Sequence, residues 1–252
     1  MKKLITTLAV GALLASSSFA EIRKENLSVG VRGSFGISNM KIADDTKRGL
    51  GNEVANELSS ATNLAASYSV DNDAIACGGF ALWANYSLPS LPALGLQAEL
   101  GFLFNNGTEL TVESKSDTAK IELKDKVTYT TMELPLLVTY TVNKGGFFEF
   151  IPQAGFYLSF PIGKIKQELD ITGKVGGTTV YSDSDTSKDK IDNAFIFGTA
   201  FGADFAFNFN KTSALLLNAR YMIDLGELKS DGDKIGTRSV FLMSAGYRYS
   251  FR

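Results

Sequence analysis

The sequence has no histidine and a single cysteine among its 252 residues. Without an imidazole, no Ser-His-Asp or Asp-His proton relay can be assembled. A Ser-Lys dyad needs no histidine, but nothing marks one serine out as a nucleophile. Zinc centres draw mainly on Cys and His, so none is expected. Cys77, alone, excludes an intramolecular disulfide framework; lying within a strand-like pattern, it reads as a small buried residue. Prolines number only 5 against 24 glycines, a balance suited to a β-rich chain with few kinks. Long hydrophobic runs are missing too: after Ala20 nothing approaches the ~20 apolar residues of a membrane-spanning helix.

The first twenty residues form a unit of their own. Lys2 and Lys3 precede the apolar run Leu4 to Leu14, and Ser18-Phe19-Ala20 ends in small residues. This is the layout of a cleaved signal peptide over residues 1–20, with one domain over 21–252. Removing the leader takes two lysines away, leaving 23 basic against 27 acidic residues. A chain with that acidic excess is not expected to bind nucleic acid.

What the remaining chain does have is alternation. Eight segments carry apolar residues at every second position, the period of a strand with one greasy face. They run from Leu27 to Met40, Ile75 to Ser87, Gly95 to Leu110, Lys126 to Val142, Phe147 to Phe160, Ala194 to Phe209, Ser213 to Leu225 and Ser239 to Phe251. The connections alternate as well. Short ones follow the second, fourth and sixth segments: Leu88 to Leu94, Asn143 to Gly146, and Asn210 to Thr212. Long polar ones follow the others: Lys41 to Ala74, Thr111 to Asp125, Pro161 to Asn193, and Glu227 to Arg238. Short turns on one rim and long loops on the other are the layout of an outer-membrane β-barrel. The expected fold is therefore an all-β, eight-stranded antiparallel up-and-down transmembrane barrel. Its N- and C-termini are expected on the periplasmic side, and its long loops outside.

Alternation does not by itself say which face points inward. A soluble exported barrel would turn its greasy faces in. Three features favour greasy-out. The segments are as long as tilted spanning strands require, well beyond the ~5–6 residues of ordinary strands. Aromatics such as Tyr86, Phe104, Phe160 and Tyr249 lie at strand ends, where interfacial girdles form. The polar parity also carries a mixed charge set, with Arg32, Arg220 and Arg248 against Glu99, Glu133, Glu149, Asp204 and Asp224. Inside an eight-stranded barrel, which side chains just fill, these eight residues are expected to pair as a luminal charge network and plug the lumen.

The long connections have their own character. Arg48 to Ser67 shows helical spacing in Val54, Leu58, Ala61 and Leu64, and reads as a loop helix over the barrel mouth. Ile165 to Val180 alternates and reads as an extension of the fifth strand turning at Gly176-Gly177. Tyr181 to Lys190, rich in Ser, Asp and Lys, reads as a mobile segment. Asp183, Asp185 and Asp189 match no calcium-loop spacing and read as solvated carboxylates.

Three stretches carry a family likeness. Leu94-Gly95-Leu96-Gln97-Ala98-Glu99-Leu100 resembles the third strand of the outer-membrane β-barrel family that includes PorT-like proteins. Thr131-Met132-Glu133-Leu134-Pro135-Leu136-Leu137-Val138-Thr139-Tyr140 resembles its fourth strand, and Pro152-Gln153-Ala154-Gly155-Phe156-Tyr157 its fifth. The resemblance spans most of residues 27 to 251 and implies a fold and a location, with Glu133 in the lumen, Pro135 at a bend, and no catalytic or cofactor site. The peptidoglycan-binding domain of full-length OmpA-type proteins is not expected, since the chain stops at Arg252.

The functional expectation is a monomeric, non-enzymatic membrane anchor, without cofactor or metal, that displays four loops for surface interaction or adhesion. The alternative is a narrow channel or lateral conduit for small hydrophobic molecules, as in OmpW-like barrels. Expected partners are outer-membrane lipids, an external ligand at the long loops, and the barrel-assembly machinery. The last would recognise the C-terminal strand, which departs from the usual pattern in placing Arg252 after Phe251.

Overall fold

The computed structural model describes residues 24–42, 67–116, 119–230 and 233–251, with helical residues at 47–48, 52, 54–56 and 59–60. The leader expected over 1–20 lies outside the described residues. A 3-10 turn at Lys24–Asn26 leads into ten strands. These are β1 (Leu27–Lys41), β2 (Ser67–Leu88), β3 (Leu91–Lys115), β4 (Ala119–Tyr140), β5 (Phe148–Val175), β6 (Thr178–Lys190), β7 (Ile196–Asn208), β8 (Ser213–Asp224), β9 (Leu228–Ser230) and β10 (Asp233–Ser250). Eight of them are antiparallel staves in the order β1-β2-β3-β4-β5-β7-β8-β10. β1 pairs with β10 from Ser28↔Ser250 to Lys41↔Thr237, and that ladder closes the barrel. Closure leaves no unpaired edge at membrane depth, which hydrocarbon would not tolerate.

The greasy parity faces outward. Phe35 is 66% exposed, Leu136 64% and Phe156 55%, although each lies mid-strand. An apolar surface of this extent on a folded chain is a lipid-facing surface. Aromatic pairs brace it across neighbouring strands, with Phe150 and Phe205 5.3 Å apart and Phe80 and Phe102 5.4 Å apart, the register contacts that stabilise sheets.

Several boundaries differ from the sequence reading. The short connection expected over Leu88 to Leu94 shrinks to a two-residue turn at Pro89-Ser90, because Leu88 already opposes Leu91. The long connections shrink further. Ser67–Ala74 pairs with Thr108–Lys115, and Lys120–Val127 pairs with the same stretch from the other side. β5 runs on to Val175 and turns at Gly176-Gly177, as its alternation predicts. Tyr181 to Lys190 is not a loose segment but part of β6, paired with β5 from Lys164↔Lys190 to Val175↔Thr178. The physical reason is common to all. Hydropathy marks where a strand leaves lipid, whereas backbone pairing continues into water for as long as the hairpin geometry holds. The result is a five-stranded sheet, the upper halves of β2 to β5 with β6, standing beyond the apolar band.

One break in the period matters for the interior. Asn105 sits at φ 58 in a β-bulge, where the β3–β4 register slips between Leu103 and Asn106. The extra residue turns Asn105 outward and Asn106 inward, so the inward parity switches from odd to even numbers. Asn105, which strict alternation assigns to the lumen, is exposed, and Asn106 is fully buried.

Candidate functional site

The lumen is filled in layers, and each strand contributes by its inward parity. Nearest the short-turn rim, Arg248 on β10 donates to Glu149 at 2.6 Å and to Asn208 at 2.8 Å. Next comes an apolar layer of Trp83, Ile151, Ala206, Ala214 and Leu216. Trp83 fits because the facing position is Gly30, where a Cβ would stand 2.4 Å from the indole.

The central layer holds most of the charge. Arg220 donates both terminal nitrogens to Glu99, each at 2.7 Å, a fork that fixes the carboxylate in one plane. Gln97 donates to the same carboxylate at 2.6 Å. Arg32 bridges Glu99 and Asp204, at 3.3 Å from each, and its guanidinium lies 5.6 Å from the Trp83 ring centroid. Asn218 completes the layer with a 2.7 Å bond to Asp204. An apolar belt follows, formed by Cys77, Leu103, Leu137, Tyr157, Ala200, Met222, Val240 and Leu242. Cys77 is buried in it and makes no disulfide.

The third charged cluster is built round a residue that the hydropathy pattern assigns to a loop. Arg238 was expected to end the last long connection. Instead it is 1% exposed, inside the barrel, at the upper part of β10. It contacts Asp224 at 3.1 Å and Glu133 at 2.9 Å, and reaches Ser159 and Thr131 at 3.2 and 3.3 Å. Tyr157 donates its hydroxyl to Asp224 from below. The clue is in the parity. Arg238 shares it with Val240, Leu242, Ser244, Gly246 and Arg248, so extending β10 by one inward position finds it.

Each of the eight expected charges thus lies in the lumen with an ionic or hydrogen-bonding partner, but in three separate clusters, not one continuous network. Arg238 brings the set to four arginines and five carboxylates. Above it, Met40, Val127, Tyr129, Ile165, Ile196 and Leu228 form an apolar cap. Higher still, Val54 packs with Ile42, Leu110 and Val112, while Leu58, Ala61 and Leu64 of the expected loop helix lie outside the described residues. The open space is small at the centre, about 40 Å³ beside Arg32, Glu99 and Arg220. A larger vestibule of about 660 Å³ opens at the short-turn rim, around Trp83, Asn85, Glu149 and Arg248. Among the described residues no group of His, Cys, Asp and Glu is arranged to hold a metal ion.

The family model described as "Outer membrane protein beta-barrel domain" matches residues 15–230. The chain belongs to that family. As an outer-membrane barrel protein, it places its exposed apolar band against lipid and its charged clusters inside. Among solved structures, it is similar to Neisserial surface protein A (NspA), with 11% identity, a TM-score of 0.44, and coverage of 90% of this chain and 97% of that one. It is similar also to the outer membrane protein OprG from Pseudomonas aeruginosa, at 14% identity and TM-score 0.40, covering 90% and 97%. A third is Ail, the attachment invasion locus protein of Yersinia pestis, at 14% and 0.33, covering 88% and 98%. No curated protein matches.

Proposed function

We propose that this outer-membrane barrel is a non-enzymatic anchor that presents its long-loop rim to an external ligand, with both termini in the periplasm. The observation that carries this reading is the five-stranded sheet above the apolar band, raised on a barrel whose lumen is packed with side chains. A pore protein needs a water-filled path, and here the apolar belt of Leu103, Tyr157 and Met222 separates the central charged cluster from the Arg238 cluster. A protein that works above the membrane needs a stiff platform, and continuous strands supply one at little entropic cost. The non-enzymatic part rests on the lack of any histidine in the sequence and on arginine-paired carboxylates, which leave no general base in the lumen.

The test is adhesion. Cells displaying the full chain are compared with cells in which residues 166–188 are replaced by a short Gly-Ser turn, and with cells in which residues 43–66 are shortened. Binding to immobilised matrix proteins and to host cells is expected to drop in at least one of the two. Unchanged adhesion in both would remove the reading. Single-channel steps from the purified wild-type protein in planar bilayers would instead favour the conduit.

A further inference from the structure

The β5–β6 hairpin segregates its charges by face. On β6, Asp183, Asp185 and Asp189 oppose Ile171, Leu169 and Ile165, on the side that continues the luminal parity. Lys188 and Lys190 take the other parity, which continues the lipid-facing side. The register sets Lys190 directly opposite Lys164 and Lys188 directly opposite Lys166. Lys126 joins them from β4, opposite Glu168. Five lysines thus share one outward patch, immediately beyond Phe160, Ile162 and Phe195 at the end of the apolar band.

Like charges placed directly across a ladder repel. One carboxylate, Glu168, serves two of these lysines, pairing with Lys166 and lying 3.9 Å from Lys126. Lys164 and Lys188 have no carboxylate partner among the described residues, and both are exposed. Lys164 and Lys188 thus leave an excess of positive charge beside a lipid-facing apolar surface, which fits one kind of partner: an amphiphile with acyl chains below and phosphate above. We propose that this patch clamps the phosphate-bearing headgroup of a lipid in the leaflet around the long-loop rim. The acyl chains lie against Phe160, Ile162 and Phe195, and the phosphate sits between Lys164, Lys166 and Lys188. Lysines hold a phosphate as compact point charges, without needing the planar fork of arginine. The clamp does not depend on what the loop tips bind.

The full chain is reconstituted in phosphatidylcholine nanodiscs containing a minor fraction of diphosphorylated lipid A, and retained lipid A is counted by native mass spectrometry. The double variant Lys164→Gln/Lys188→Gln is expected to retain on the order of tenfold less, since a basic residue near an anionic surface contributes several-fold in affinity. Lys164→Arg/Lys188→Arg is expected to restore most of it. A control neutralising the other rim, Lys24→Gln/Lys211→Gln, leaves it unchanged. Heat-modifiable gel mobility verifies that each variant is folded. Equal retention by the Gln variant and wild type would overturn the clamp, as would equal retention of lipid A stripped of its phosphates. If the lysines only keep the β6 edge from pairing with other chains, the Gln variant aggregates while retaining lipid like wild type, which also overturns it. Displacement by millimolar inorganic phosphate as effective as displacement by lipid A would show a soluble-anion site instead and refute the lipid assignment.

Discussion

Arg238 holds more of the interior than any other side chain. Its guanidinium meets two carboxylates and two hydroxyls, from β8, β4 and β5, while its own strand is β10. Removing it leaves Glu133 and Asp224 buried with too little positive charge, a change that costs roughly 3–5 kcal/mol. Arg238→Gln is therefore expected to lower the urea midpoint of the vesicle-inserted protein strongly. Arg238→Gln combined with Asp224→Asn and Glu133→Gln should recover much of the loss, because the uncompensated charges go with it. A triple variant no more stable than the single one would disprove this. Gly198 sets a second residue-scale constraint. A Cβ there would stand 2.3 Å from the Tyr157 ring, which is itself buried and bonded to Asp224. Gly198→Ala should cost about 1–3 kcal/mol by overpacking in the same unfolding measurement.

At the scale of elements, the sheet above the membrane divides into parts with different supports. The β3–β4 hairpin is laced by lysine–carboxylate pairs: Glu113 with Lys115 at 2.8 Å and Lys120 at 2.6 Å, and Glu122 with Lys120 at 2.9 Å. Hydrogen bonds from Lys115 and Lys120 hold the Glu113 carboxyl down to about 2, and Lys120 lowers Glu122. Both carboxyls ionise more readily folded than unfolded. Their contribution is complete above the ordinary carboxylate range of ~4.3 and is lost as pH falls toward 2. Amides of β3 and β4 beyond Glu109 should lose exchange protection over that window, after correction for intrinsic rates, while those of the barrel staves keep theirs. Because the groups are largely solvated, the loss is modest and is reduced by salt even at neutral pH. The β5–β6 hairpin has a different status. β6 pairs only with β5, so no stave of the barrel depends on it. Shortening it across residues 166–188 is expected to leave heat-modifiable folding intact. Loss of the folded band would show that the hairpin guides closure.

At the scale of the whole molecule, closure and filling act together. Eight ladders bond every stave to two neighbours, and the interior alternates charged and apolar layers from one rim toward the other. The vestibule of about 660 Å³ at the short-turn rim reaches past Trp83 to Gln97 and Asp204 at the edge of the central layer. The intact protein is expected to give no single-channel steps in planar bilayers at neutral pH. Trp83→Ala together with Arg220→Ala and Glu99→Ala would join the vestibule to the central cavity. It should not open a full path, because the Leu103–Tyr157–Met222 belt and the Arg238 cluster stand above it. Steady conductance from that variant would refute the layered plug.

Much of this was legible in the chain itself. The period of two fixes which side chains share a face. Its apolar parity in Phe35, Leu136 and Phe156 required lipid outside, and Arg32, Glu99, Glu133 and Arg220 on the other parity required pairing inside. These are local consequences of strand geometry, so a sequence carries them. Three things needed the tertiary structure. Arg238 is luminal because β10 already begins at Asp233, before Ser239, and side-chain polarity does not say where backbone pairing stops. The bulge at Asn105 reset the parity of β3, and a bulge is settled by the partner strand's register. The opposition of Lys164 with Lys190 and of Lys166 with Lys188 came from the β5–β6 pairing, between residues more than twenty apart in the chain. Periodicity names the face of each strand; only the ladders decide which residues on those faces meet.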